Sequence, residues 1–157
     1  MRSFCLYGAL CVAIQGLSGC GSDPVVETKT EVTNTTKVAQ YDRLVVAFGD
    51  SLYAGYRLAP GEGLAPQLQA ALQAAGINAR VHNAGVSGDT TAAGKARLAF
   101  VLDNLDRKPD LVVLGLGGND MLRGIKPTET KTNMTTMMDE LKRRGIPVVL
   151  TGMLASP

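Results

Sequence analysis

The sequence predicts an α/β domain of three layers, αβα, built around a parallel sheet. From Tyr41 onward, short apolar runs of strand length alternate with apolar stripes at helical spacing. Such alternation implies right-handed crossovers, hence parallel strands covered by helices on both faces. Polar, glycine-containing segments follow the first three strands, which is where open parallel sheets bind their ligands.

The chain opens on a targeting pattern. Arg2 is followed by a mostly apolar run from Phe4 to Leu17, broken by Gly8 and Gln15. That run falls short of the ~20 apolar residues that a membrane helix needs. It ends in Leu17-Ser18-Gly19-Cys20, which resembles the bacterial lipobox. The resemblance implies that residues 1–20 are a lipoprotein signal peptide and that Cys20 is lipidated. With Gly21 next, it also implies a lipid anchor in the outer membrane, facing the periplasm. Residues 21–41 then read as a Thr-rich flexible tether. Thr28, Thr30, Thr33, Thr35 and Thr36 are interleaved with Glu27, Lys29, Glu31 and Lys37, leaving little apolar surface to offset ordering entropy.

The domain itself is expected over 42–157. Arg43 to Phe48 reads as a buried parallel strand. Leu64, Leu68, Ala71, Leu72 and Ala75 share one face of a helix that Gly76 terminates. Arg80 to Asn83 is a weaker second strand. Leu98, Val101, Leu102 and Leu105 stripe a second helix, capped by Asp89 or Thr90. Asp110 to Leu116 is the clearest strand. Met134, Met137, Met138 and Leu141 mark a third helix ending at Gly145, and read as core rather than as a cofactor site. Pro147 to Thr151 makes a fourth strand.

Composition narrows the function classes. Of 157 residues, 45% are apolar and 19% charged, in the ordinary globular range. A net charge of +2 with interspersed signs, and only 4% aromatics, leaves no footprint for nucleic acid. All three cysteines, Cys5, Cys11 and Cys20, precede the domain, which excludes a disulfide framework or thiolate cluster inside it. One histidine argues against a histidine-based metal site, and no metal or organic cofactor is implied.

Three segments carry candidate chemistry: Phe48-Gly49-Asp50-Ser51-Leu52, Asn83-Ala84-Gly85-Val86-Ser87-Gly88-Asp89-Thr90 and Gly115-Leu116-Gly117-Gly118-Asn119-Asp120. Each alone could be a turn, since Gly, Asp, Asn and Ser are the usual turn residues. An α/β-hydrolase elbow requires Gly-x-Ser-x-Gly, and Tyr53 stands at its last position. No full dinucleotide-binding glycine pattern follows any strand. As an ordered set, Gly49-Asp50-Ser51-Leu52, Ser87-Gly88-Asp89-Thr90 and Gly117-Gly118-Asn119-Asp120 resemble the blocks of the GDSL, or SGNH, hydrolases. The resemblance runs from about Leu44 to Thr151 and is strongest to the thioesterase/lysophospholipase/arylesterase subgroup.

That resemblance implies a flavodoxin-like parallel sheet and a serine esterase acting on acyl esters or thioesters. Ser51 would be the nucleophile that forms an acyl-enzyme. The backbone N–H groups of Ser51 and Gly88 and the Asn119 side-chain amide would meet the developing oxyanion. Asp50, Asp89 and Asp120 read better as turn and cap residues than as acids or bases. The family's remaining element is an Asp-x-x-His pair. The lone histidine, His82, lies in Arg80-Val81-His82-Asn83 without that context, and reads as a strand residue. The expectation is therefore a chain whose catalytic Asp and His, last strand and last helix lie beyond Pro157. A lipoprotein that binds acyl or glycan ligands without catalysis remains the alternative.

Overall fold

The computed structural model describes residues 40–153. In chain order they form β1 (Arg43–Gly49), α1 (Ser51–Ala54), α2 (Leu64–Ala74), β2 (Ala79–Gly85) and α3 (Thr91–Asp103). There follow β3 (Leu111–Gly115), α4 (Gly118–Leu122), α5 (Pro127–Arg143) and β4 (Val148–Leu150). The strands pair in the order β2-β1-β3-β4, every pair parallel. This is the expected three-layer sheet. The expected signal peptide, with Cys20, and all but the last two residues of the expected tether lie outside the described residues. No described helix is long and apolar enough to cross a membrane.

Strand alternation divides the core between the two faces. Val46, Phe48, Ala84, Val112 and Leu114 point to one side and pack with Leu98 and Leu102 of α3, Met134, Met137 and Leu141 of α5, and Ile146. Ala47 points to the other side, where Tyr53 and Ala65 close a smaller cluster with Val81 and Val113 against it. The methionines expected to be core are core: Met134 and Met137 are buried and Met138 packs against them. Thr90 settles the choice of cap for α3, its hydroxyl accepting from Ala93 N–H at 3.3 Å. Pro127 opens α5, where its missing N–H costs nothing.

Two features depart from the sequence pattern. The inward face of α2 is Ala65, Leu68, Gln69 and Leu72, while Leu64, Ala71 and Ala75 are exposed. Gln69 faces inward because β2 is an edge strand: its side-chain oxygen accepts the Val81 N–H at 2.9 Å. The two short helices α1 and α4 were not anticipated, since four or five residues carry no periodicity to read.

Candidate active site

The register aligns three glycines side by side at the carboxyl edge of the sheet. Gly49 of β1 pairs with Gly85 of β2 on one flank and Gly115 of β3 on the other. Tyr53 lies over this row. A Cβ on Gly85 would sit 2.7 Å from Tyr53 Cβ, one on Gly115 2.5 Å from Tyr53 Cε2, and one on Gly49 2.6 Å from the Gly115 carbonyl oxygen. Glycine at these positions is therefore what lets α1 fold back onto the strand ends. The Tyr53 and Thr151 hydroxyls share a 2.6 Å hydrogen bond, and burial pushes the Tyr53 hydroxyl above its ordinary pKa, keeping it protonated.

Ser51 is held at the start of α1 by the residue before it. The Asp50 side chain accepts from Leu52 N–H at 3.0 Å, and its carbonyl accepts from Tyr53 and Ala54 at 3.1 and 2.9 Å. Half-buried Ser51 thus emerges from a sharp strand-to-helix turn. The second segment is tied to this turn directly, Val86 N–H donating to the Gly49 carbonyl at 3.0 Å. Gly88 adopts φ +85°, a left-handed conformation natural to glycine. Its carbonyl accepts from the Arg123 guanidinium at 2.8 Å.

Asn119 follows Gly117, which turns the chain into α4 at φ +119°. One Asn119 amide hydrogen goes to the Asp89 carbonyl at 2.9 Å. A primary amide has two donors, so this bond orients the group and leaves the second for a ligand. Beneath it, fully buried Asp120 accepts from Thr91 N–H (2.8 Å), the Thr91 hydroxyl and the Thr130 hydroxyl (3.1 Å). Asn133 donates to the Thr91 hydroxyl at 3.2 Å and accepts from Lys95. The network fastens α4 to α3 and α5.

Structure thus brings together the segments carrying Ser51, Gly88 and Asn119. Asp50 caps a helix as expected. Asp89 and Asp120 are structural too, but by side-chain contacts to other elements rather than by capping. His82 sits in the edge strand opposite Val46, away from the carboxyl edge. Burial, and then the neighbouring Arg80 charge, lower its pKa. Sequence reasoning missed Arg97, whose Nε donates to Asp89 at 2.6 Å and whose second nitrogen donates to the Gly49 carbonyl at 3.0 Å. The available signal was a charged residue adjoining Leu98 on an otherwise apolar helical stripe. Among the described residues, no group of three His, Cys, Asp or Glu side chains is placed to hold a metal ion.

Residues 47–157 match the model of the GDSL-like Lipase/Acylhydrolase family. The chain belongs to that family. Esterase TesA of Pseudomonas aeruginosa is 41% identical to it over 123 residues, 78% of this chain and 59% of the relative. An arylesterase of Vibrio mimicus is 37% identical over 119 residues, 76% of this chain and 58% of the relative. The crystal structure of AlinE4, an SGNH-hydrolase family esterase, superposes with a TM-score of 0.73 at 53% identity, covering 75% of this chain and 62% of that one. This GDSL-like chain accordingly spans about three fifths of the length of these relatives.

Proposed function

We propose that this chain carries the nucleophile and oxyanion donors of a serine ester hydrolase acting on small acyl esters or thioesters. The observation that carries the reading is the convergence of the three loops at one sheet edge, with the Asn119 amide already oriented by the Asp89 carbonyl. Ser51 attacks the acyl carbonyl, and the bond to the leaving oxygen or sulfur breaks to give an acyl-enzyme that water then hydrolyses. Charge on the carbonyl oxygen is met by Ser51 N–H, Gly88 N–H and the free Asn119 amide hydrogen, all neutral donors fixed before reaction. Beside Asp50 and Leu52, a cavity of about 260 Å³ is lined by Tyr53, Leu64, Leu116 and Met153, which suits an apolar acyl group. The base that takes the Ser51 proton is assigned, by family resemblance, to an Asp-x-x-His pair rather than to His82.

The test is labelling of the complete gene product with a fluorophosphonate probe. Labelling is expected to vanish in Ser51→Ala. Equal labelling of variant and parent would remove Ser51 from the chemistry, and an acyl ligand bound without labelling or turnover would favour a binding protein.

A further inference from the structure

We propose that Arg97 is a positioning residue for the oxyanion hole, a brace from α3 that fixes the nucleophile turn and the Gly88–Asp89 loop relative to one another. The proposal rests on the reading of Ser51, Gly88 and Asn119 given above. Arg97 Nε donates to Asp89 Oδ2 at 2.6 Å, and its second donor nitrogen reaches the Gly49 carbonyl at 3.0 Å. Its guanidinium carbon lies 4.0 Å from the centroid of the fully buried Phe48 ring, which fixes the plane of the fork. Gly49 lies two residues before Ser51, Asp89 directly follows Gly88, and the Asp89 carbonyl holds Asn119. One planar cation therefore connects all three segments that carry oxyanion donors.

The Gly49 contact is not needed to satisfy that carbonyl, which already accepts Val86 N–H at 3.0 Å. What the second bond adds is a fixed distance between two loops from different parts of the chain. Both acceptors are matched by the rigid geometry of a guanidinium; a lysine ammonium at the end of a flexible stem could hold Asp89 but not both. Oxyanion donors act only when preorganised around the transition state, and a misplacement of ~1 Å can cost on the order of a hundredfold in rate.

The experiment measures p-nitrophenyl ester hydrolysis by the complete gene product, with active sites counted by fluorophosphonate titration. Arg97→Met keeps the apolar stem and removes both hydrogen bonds. The expected result is a kcat per titrated site reduced about 10- to 100-fold, with KM within about twofold of the parent. Arg97→Lys should fall in the same direction by less. A purely structural role would lower the melting temperature and the number of titratable sites while leaving kcat per site at the parental value, and that result overturns the proposal. If Arg97→Met yields no titratable sites, Arg97→Lys carries the test, and parental kcat per site in that variant is again refuting. Loss of the underlying reading looks different: the parent would show no turnover that depends on Ser51, and the proposal would fall with it.

Discussion

Replacing Gly115 by alanine tests whether the glycine row sets the geometry of the nucleophile turn. The added Cβ would lie 2.5 Å from Tyr53 Cε2 and closer still to the Tyr53 and Thr151 hydroxyl oxygens, where ordinary contact begins at 3.4 Å. Tyr53 must then withdraw by about 1 Å, from a site enclosed by the backbone of Gly49 and Gly85, which cannot give way. Overpacking of this kind costs ~1–3 kcal/mol, and strain on the Tyr53–Thr151 hydrogen bond adds up to ~1 kcal/mol. Urea unfolding of the complete gene product should therefore show Gly115→Ala destabilised by about 1–4 kcal/mol. Because Tyr53 and Ser51 share the short α1, turnover should fall as well. The decisive measurement is a double-mutant cycle with Tyr53→Ala. In that background the ring is gone and only the Thr151 hydroxyl still meets the added Cβ, so Gly115→Ala should cost less than it does in the parent. Additive costs would show that the ring is not what demands glycine, and would refute the reasoning.

Three further outcomes are expected. Asp120→Ala strips the acceptor from two buried Thr91 donors and the half-buried Thr130 hydroxyl, and at ~1–3 kcal/mol for each buried unsatisfied donor should cost at least ~2 kcal/mol in urea unfolding; a loss below ~1 kcal/mol would mean the network is dispensable. His82 has a folded pKa below the ordinary 6.5, so the unfolded chain takes up its proton first as pH falls. Its contribution is intact above that value and lost as pH drops through the folded pKa; relative to His82→Gln, the parent should become less stable as pH falls below the ordinary 6.5, and a flat difference contradicts this. Lipid anchoring predicts diacylglyceryl and acyl additions on Cys20 in the intact mass of protein made in a Gram-negative host, where an unmodified product would overturn the lipobox reading.

The sheet was legible chiefly through its central strands, which are covered on both faces and so read as unbroken apolar runs, as in Leu44-Val45-Val46-Ala47-Phe48. The candidate site was legible in outline because glycine and short polar residues concentrate where those runs stop. What the sequence hid depends on contacts between distant residues. Tyr53 could be read only as a departure from an elbow motif, yet three strands end in glycine to receive it. Gln69 interrupts an apolar face because an edge N–H requires an acceptor, a need visible only once β2 is known to be the edge. Arg97 belongs to the same class: its partners lie 8 and 48 residues away along the chain.

Three aspartates adjoin the proposed donor residues, and under the proposed function their charges would have to be kept from opposing the oxyanion. Asp50, Asp89 and Asp120 adjoin Ser51, Gly88 and Asn119, so a carboxylate stands one residue from each proposed donor. Left unpaired and facing the oxyanion, a charge at 4 Å would oppose it by about 1 kcal/mol in water and several times more in a site that excludes solvent. None is so placed. Asp50 is occupied by Leu52 N–H, Asp89 by the Arg97 guanidinium, and Asp120 by Thr91 and Thr130. Each carboxylate is bonded to donors of its own, and through those bonds it anchors the loop that presents the neutral donor beside it. The acidic residue and the adjoining proposed donor thus share one arrangement in each segment: the carboxylate fixes the backbone, and under the proposed function that backbone would aim an uncharged N–H at the carbonyl oxygen. Arg97 matters to this arrangement twice over, since it both balances Asp89 and sets the distance from that loop to the Ser51 turn.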